Sequence, residues 1–309
     1  MKNLNIKYAH GRSLIELMVA MVIGFIILLA VGSLYVTNTQ TYRVTDSKAL
    51  LEEEGRLALN LMAFHVRMIG YGELQSASTS TKGGKGGSTN FSGIGIKGCT
   101  GGFTSPTASQ VSCTGGATPD AFSVGYVVES VNSNTGSSAG VSGPADCMGR
   151  PVLSSPANVE NRFYIATNAS TGRNELYCVG NGGVAPGADF MAGQPIADNV
   201  VSMSVTYGYD SDGNQSVDGF YTAASLESLA APTTLPVYAI GTPGQPSPWD
   251  AVISAKICVV VTSTNTNVTT AKQTYIDCQG NTVTATDNKL YSAFSTVVAL
   301  RGRVQGKTS

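Results

Sequence analysis

An uncharged apolar run near the N-terminus constrains this chain more than any other feature. Residues 17–36 include no Asp, Glu, Lys or Arg. At about 1.5 Å per residue, the run predicts a helix about 30 Å long, which is enough to cross the hydrocarbon core of a membrane. Residues 1–12 carry Lys2, Lys7 and Arg12 but no acid. This charge asymmetry predicts a single-pass membrane segment, with its N-terminus in the cytoplasm and the rest of the chain outside.

A single acid, Glu16, stands at the start of the apolar run, four residues after Arg12. A carboxylate in a bilayer costs on the order of 2.5–3.5 kcal/mol at mid-depth and less near the interface. Its presence at this position therefore indicates a partner. A signal peptide cut near residues 30–32, or an uncut signal anchor, would also explain the apolar run, but neither gives Glu16 a role.

Residues 11–17, with the sequence GRSLIEL, resemble the class III signal of type IV prepilins. In that family, prepilin peptidase cuts after the glycine and methylates the new amino terminus. The resemblance implies cleavage between Gly11 and Arg12, N-methylation of Arg12, and a mature chain that keeps its apolar helix. It also implies that Glu16 acts in filament assembly, where a neighbour's N-terminal ammonium neutralises it in an apolar core. Arg12 departs from the family, because phenylalanine is the usual first mature residue.

Helix-compatible sequence continues beyond the membrane run. Residues 37–69 contain no proline and a single glycine, Gly55, and Gly70 and Gly72 then end the pattern. The predicted helix, residues 14–69, is about 84 Å long. Apolar residues at spacings of seven, four, three and four share one face, which we expect to pack on a globular head. This face consists of Leu50, Leu57, Leu61, Phe64 and Met68. The charged residues expected on the solvated face are Glu52, Glu53, Glu54, Arg56 and Arg67.

The rest of the chain predicts an exported β-rich head. Runs rich in Val, Ile, Tyr and Thr predict strands at residues 121–129, 162–167, 200–209, 251–262 and 290–300. Alternation within two of these runs indicates antiparallel strands with one face on a core. Segments rich in Gly, Ser and Thr, residues 76–119 and 131–144, predict long loops. The expected fold is α+β and type IV pilin-like: a long N-terminal helix, half transmembrane, packed on an antiparallel sheet. The expected division is a leader at 1–11, a transmembrane or filament-core helix at 12–36, an amphipathic extension at 37–70 and the head at 71–309.

Three stretches of the helix and the end of the chain resemble PilW-type minor pilins. They are residues 41–43 (TYR), 51–59 (LEEEGRLAL), 67–71 (RMIGY) and 294–303 (FSTVVALRGR). The resemblance implies a minor pilin that primes assembly of a type IV pilus, sits at or near its tip, and serves adhesion and twitching motility. The implied partners are prepilin peptidase, the other minor pilins, the major pilin and a large tip adhesin. The implied location is the inner membrane before assembly and the extracellular pilus afterwards.

All six cysteines lie on the predicted outer side of the membrane, and none forms a CxxC pair. An even number of cysteines in an exported domain indicates disulfides rather than zinc. Of the fifteen pairings that six cysteines allow, we expect the one that joins sequence neighbours, with free reactive thiols as the alternative. These pairs are Cys99–Cys113, Cys147–Cys178 and Cys258–Cys278.

Residues 210–218, with the sequence DSDGNQSVD, place an oxygen-bearing side chain at every second position. Ca²⁺ takes six to eight oxygen ligands, so this loop is a candidate calcium site that resembles the calcium loops of pilus and surface proteins. The loop is no EF-hand, because its sixth position is not glycine and no glutamate follows at the twelfth. An ordinary polar turn is the alternative. The candidate ligands are Asp210, Asp212, Asn214, Ser216 and Asp218.

The charge balance and the histidine count weigh against other classes of function. With 19 Lys+Arg against 20 Asp+Glu, the chain has no basic excess to bind nucleic acid. The two histidines, His10 and His65, fall in the leader and on the helix, so the head has none for a catalytic triad. We therefore expect a structural protein and no enzyme. A J-type pseudopilin of type II secretion, an adhesive binding module of the pilus tip, and a membrane-anchored enzyme are the alternatives.

Overall fold

The computed structural model describes residues 13–69, 95–116, 119–128, 145–152, 157–230 and 247–300. The fold below refers to these residues. Several predicted features lie outside them: the leader at 1–11, the cleavage site at Gly11 and Arg12, the helix stop at Gly70 and Gly72, and the loop at 131–144.

The first element is a single long helix, α1, which spans Leu14–Arg67 and confirms the predicted element to within two residues at its C-terminus. Ser13 has an extended backbone and precedes the first turn. The helix ends where the N–H of Met68 donates to the carbonyl oxygens of His65 and Val66. Among the described residues, α1 is the one helix long and apolar enough to cross a membrane.

The face on which α1 packs is only partly the predicted one, since Leu61 and Met68 of the predicted face are half-buried. Leu50, Leu57 and Phe64 are exposed, at 48%, 43% and 58% of their surface. The buried residues form a second stripe with the same helical spacing. They are Ser47, Leu51, Gly55, Ala58, Leu59, Met62, Ala63 and Val66. Periodicity is equal for the two stripes, and the small residues of the second one let the strands approach the helix closely. The predicted solvated face is confirmed for the exposed residues Glu52, Glu53, Arg56 and Arg67, whereas Glu54 is half-buried.

At Gly55, α1 approaches the head closely. A Cβ atom at this position would overlap the ring of Phe294, so the glycine leaves the space that the aromatic ring fills.

Two antiparallel sheets replace the single sheet that was expected. The first has the strand order β1-β2-β3-β4-β5. Its strands are β1 (Ile96–Cys99), β2 (Ala121–Val128), β3 (Ala157–Thr167), β4 (Asn174–Gly180) and β5 (Gln194–Ala197). The four-stranded sheet has the order β11-β8-β6-β7, and β9 and β10 form a separate hairpin. These strands are β6 (Val200–Tyr209), β7 (Gly219–Thr222), β8 (Val252–Thr262), β9 (Thr274–Ile276), β10 (Thr282–Thr284) and β11 (Tyr291–Ala299). A short helix, α2 (Ala223–Glu227), follows β7, and a 3₁₀ turn at Pro248–Ala251 precedes β8.

The five predicted strands are confirmed as β2, β3, β6, β8 and β11, with shifts of at most one residue at their ends, except that β3 begins five residues earlier than predicted. Along β6 the predicted alternation holds for Met203, Val205 and Tyr207, which are buried, whereas Val201 is half-buried beside a register shift. The other strands were not predicted: β1 lies within the segment 76–119 that was expected to be a loop, and β4 is mostly buried on both faces, so its sequence shows no clean alternation.

One core joins the helix to both sheets. Strand β8 lies at its centre, and every residue of that strand except Lys256 is buried. Asp120 connects the two sheets: its N–H donates to the carbonyl oxygen of Met203, and its carboxylate accepts from the N–H of Val205, both at 2.9 Å. Burial raises the pKa of this carboxyl, while the hydrogen bonds from Val205 and Gly101 oppose that shift.

All six cysteines are paired, and the pairs are those of sequence neighbours. The Cα–Cα distances are 5.1 Å for Cys99–Cys113, 6.5 Å for Cys147–Cys178 and 5.6 Å for Cys258–Cys278. Each bridge ties a polar segment to a strand, namely β1, β4 and β8. The disulfides therefore hold segments that bury little apolar surface of their own.

A polar junction joins the C-terminal end of α1 to the first sheet. The side-chain amide of Asn161 donates to Nδ1 of His65 at 3.2 Å, and its oxygen accepts from the N–H of Cys147 at 2.8 Å. Because an amide nitrogen only donates, His65 must be neutral and accept at Nδ1. Burial lowers the pKa of His65 to about 4, against a smaller opposing effect of the Asp146 carboxylate.

Acid is expected to destabilise the chain through His65. Below pH 6.5 the unfolded chain binds a proton on this histidine that the folded chain excludes until about pH 4. Stability is therefore lost as the pH falls through this window, by about 3 kcal/mol at most. In thermal unfolding of the full chain in detergent, His65→Gln should remove this component of the pH dependence, and the exposed control Arg67→Gln should keep it. Parallel pH profiles for wild type and His65→Gln would contradict this account.

Gly55→Ala should lower the melting temperature, although alanine is the better helix former. The added methyl group meets the ring of Phe294, and overpacking of this kind costs about 1–3 kcal/mol. Gly24→Ala is the matched control, because nothing lies within 4 Å of a Cβ atom there. An equal melting temperature for the two variants, measured in detergent, would show that the close approach at Gly55 is unimportant.

Candidate functional site

The N-terminal half of α1 presents the largest apolar surface of the described chain. Leu14 is 74% exposed and Leu29 is 71% exposed, and the most apolar window of the helix makes no buried contact with the rest of the chain. Apolar surface of this extent is unfavourable in water. This half of the helix therefore requires a bilayer or the apolar surfaces of other helices.

Glu16 lies in the first turn of α1 and is exposed. Its Oε2 accepts a hydrogen bond from the N–H of Ser13 at 3.2 Å. A carboxylate at a helix N-terminus is stabilised by the backbone N–H groups that the first turn leaves unpaired. The helix start thus provides a position for the acid at which a group from a neighbouring chain can reach it.

The oxygen-rich segment 210–218 is the loop between β6 and β7. Asp210 is fully buried, and its two carboxylate oxygens accept from the N–H groups of Gly213 and Gln215 at 2.8 and 2.9 Å. Asp218 accepts from the N–H and the hydroxyl of Ser211 at 2.7 and 2.6 Å. Hydrogen bonds from Ser211 lower the pKa of this exposed carboxyl. The loop therefore orients both acids through its own backbone.

Three of the five candidate calcium ligands converge. One oxygen each from Asp210, Asp212 and Asp218 lies within 4.8 Å of the other two. Asn214 instead donates to Asp212 at 2.9 Å, and its side-chain oxygen accepts from the N–H of Ser216 at 2.7 Å. Three carboxylates fit a hard divalent cation in charge and donor type, and carbonyl oxygens or water would have to complete the six to eight ligands of Ca²⁺.

Arg162 is a structural anchor that the sequence indicated only as part of a strand. Its side chain is fully buried, and Nε donates to Glu160 at 2.8 Å. Nη1 donates to the carbonyl oxygens of Pro106 and Ala108, and the guanidinium stacks 4.2 Å from the ring centroid of Phe190. The pair thus holds a polar loop against the first sheet. The available signal was an acid and a base two residues apart on one face of a strand, since a buried charge requires a partner.

In the described part of the chain, His65 is the sole histidine, and its ring contacts structural groups. The ring centroids of Phe163 and Phe64 lie 5.4 and 5.3 Å away, and Asn161 occupies Nδ1. Serine or cysteine as the nucleophile would have to lie beside this ring to form a triad. The described cysteines are all in disulfides. His65 therefore belongs to the junction between the helix and the sheet.

Comparison with known families and structures gives two family matches and one similar structure. Residues 162–302 match the model of the type IV pilus-assembly protein W family, and residues 6–32 match the prokaryotic N-terminal methylation motif. A type IV-like pilin, TTHA1219 from Thermus thermophilus, superimposes with a TM-score of 0.40 at 11% sequence identity, covering 82% of this chain and 99% of the other. None of the curated proteins compared with the chain matches it.

The matched segments include the resembling residues 11–17 and nearly all of 294–303, whereas the resembling stretches 41–43, 51–59 and 67–71 lie outside both matches. The methylation motif covers the start of α1 with Glu16, and the PilW match runs from β3 through β11. The recognition is thereby confirmed for these parts of the chain: the N-terminal segment matches the prokaryotic N-terminal methylation motif, and the segment from β3 through β11 matches the type IV pilus-assembly protein W family.

Proposed function

We propose that this chain is a minor pilin, which primes the assembly of a type IV pilus and is incorporated at or near its tip. The observation that carries the proposal is the position of the methylation motif, directly on a helix whose apolar half is not covered by any of the described residues. The PilW region in the head supports the same conclusion and favours a pilus over the pseudopilus of type II secretion. The chain acts structurally rather than as an enzyme.

The proposed mechanism begins in the inner membrane, where the apolar half of α1 anchors the chain with the head outside. Prepilin peptidase removes the leader after Gly11 and methylates Arg12. The helix is then extracted into a bundle, in which neighbouring helices cover its apolar surface. The exposed stripe of Leu50, Leu57 and Phe64 extends this surface along the head and provides contacts for adjacent subunits.

Glu16 would direct this assembly by charge. Within an apolar bundle a carboxylate requires a partner of opposite charge, since an unpaired buried charge is strongly destabilising. The N-terminal ammonium of a neighbouring subunit is a suitable partner, and the exposed position of Glu16 leaves the carboxylate accessible to it. The partners in this scheme are the other minor pilins, the major pilin and a large tip adhesin.

The processing step can be tested by N-terminal sequencing of the chain from membrane fractions, with and without prepilin peptidase. We expect a mature start at Arg12 in the presence of the peptidase and an intact leader in its absence.

The variant Glu16→Ala tests the assembly step. It should be cut normally, but its amount in assembled pili should fall at least tenfold. Glu52→Ala, which changes an exposed acid on the same helix, is the control. A mature start near residue 33, an intact Met1 in cells with the peptidase, or normal assembly of Glu16→Ala would contradict the mechanism.

We also propose that the loop 210–218 binds Ca²⁺ through Asp210, Asp212 and Asp218. The support is the convergence of the three carboxylates and the donor chemistry that this ion prefers. Bound calcium would hold the connection between β6 and β7 in one conformation.

Calcium titration of the full chain in detergent should give saturable binding and a stability gain. At a hundredfold excess over the dissociation constant the gain is about 2.7 kcal/mol. Asp212→Ala and Asp218→Ala should lose most of both effects, whereas Asp189→Ala, an acid outside the loop, should keep them. Absence of calorimetric binding by the wild-type chain, or equal binding by all variants, would reject the site.

A further inference from the structure

The outer strand β11 presents a row of main-chain groups that no other described strand pairs. The N–H of Leu300 donates to the carbonyl oxygen of Ile253 at 2.9 Å, and the N–H of Ser263 donates to that of Leu290 at 2.8 Å. The register between β11 and β8 is continuous. Because ladder bonds alternate along an antiparallel pair, the even-numbered residues bond to β8 and the odd-numbered residues point their N–H and C=O groups away from the sheet.

A side chain already pairs the first of these odd-numbered residues. The N–H of Tyr291 donates to Oε1 of Gln273 at 2.6 Å, and Nε2 of Gln273 donates to the carbonyl oxygen of Tyr291 at 3.0 Å. The amide of Gln273 thus supplies the donor and acceptor that a neighbouring strand would supply. The odd-numbered residues that follow have no such partner among the described residues. They are Ala293, Ser295, Val297 and Ala299.

The other outer strands of the two sheets are short or interrupted, whereas β11 is long and regular. Strand β5 contains Pro195 and a register shift against β4, and β1 and β7 are only four residues long. Strand β11 has nine residues, no proline, no charge and no register shift. Ser295 and Ala299 are exposed, as is Val297 at 57%. Because proteins usually blunt a long exposed edge, this edge is built to be covered.

We propose that β11 is the docking edge for an extended segment of a different polypeptide, which adds a strand to the four-stranded sheet. The N–H and C=O groups of the odd-numbered residues 293–299 provide the hydrogen bonds. Gln273 ends the available edge at Tyr291 and so sets the register of the added strand.

The surface beside β11 indicates the side chains that the incoming segment should carry. A cleft of about 710 Å³ lies there, lined in part by Lys256, Tyr275 and Ile276. Lys256 is exposed and takes part in no ion pair among the described residues. The alternate side chains of an added strand would lie over this cleft. The fitting segment is therefore apolar opposite Val297 and Ile276, with one carboxylate in reach of Lys256.

A second copy of this chain does not fit the edge as well. If the β11 strands of two copies paired symmetrically, they would run antiparallel. A rotation of 180° about the sheet normal would then relate the two sheets. Because α1 packs on that sheet, the two helices would then run in opposite directions. Two such helices cannot enter one membrane with the same orientation. The exclusion of a second copy therefore rests on the membrane anchoring proposed above. The partner is thus a different chain.

Hydrogen exchange of the full chain tests the edge directly. The purified chain in detergent is compared with the same chain in intact cell envelopes, and single amides are resolved by mass spectrometry. In detergent, we expect the amides of Ser295 and Val297 to exchange on the order of 100-fold faster than the adjacent even-numbered amides, which bond to β8. In the envelope, the odd-numbered amides should become protected to a similar degree. Equal exchange in both preparations would overturn the proposal.

Val297→Pro gives an independent test, because it removes one outward N–H and leaves the bonds to β8 in place. We expect its melting temperature to change by no more than a few degrees and the envelope protection of Ser295 to be lost. Val297→Thr keeps the N–H and the β-branched shape and should retain the protection. Retained protection in the proline variant, or a cross-link between the β11 strands of two copies, would reject the proposed occupant.

The N-terminus of the chain in the same envelope samples separates this proposal from the proposed function. A chain cut before Arg12 with an unprotected edge rejects the docking edge alone. An uncut chain with a protected edge supports the docking edge and rejects the pilin mechanism.

Discussion

The rest of the structure depends on one constraint. One half of a continuous helix packs on the head, and the other half is exposed. Helix α1 runs without a break through Leu14–Arg67. Its C-terminal half reaches the sheets through small residues and approaches them closely where Gly55 meets Phe294. None of the residues that the structure describes covers the apolar N-terminal half. Because apolar surface is costly in water, the fold is complete only in a membrane or beside other helices.

The head compensates for its small proportion of charged residues with covalent and buried polar connections. Three disulfides tie polar segments to β1, β4 and β8. Asp120 joins the two sheets, Asn161 joins the first sheet to His65 on the helix, and Arg162 holds a loop. Each connection satisfies groups that would be expensive to bury alone. The head can therefore carry long polar segments and still present a defined surface to partners.

Sequence periodicity predicted elements better than it predicted contacts. The long helix and the strands β6 and β8 carry strong patterns, and their bounds were found to within about two residues. The buried face of the helix was partly wrong, because the stripe of Leu50, Leu57 and Phe64 and the stripe through Gly55 have equal spacing. The oxygen-rich loop was visible from its spacing, but the roles of Asn214 and Arg162 depended on which backbone groups lay near them.

By itself, the sequence determined the local properties of this protein: the apolar run and its basic flank, the motif around Glu16, the position of five of the strands and the cysteine neighbours. These follow from residues close together in the chain. The tertiary structure decided the division into two sheets, the stripe of α1 that is buried, the neutral state of His65 and the position of β11 at the edge of the described sheet. Such features arise from contacts between distant residues, where close approach and burial, rather than local pattern, select one arrangement.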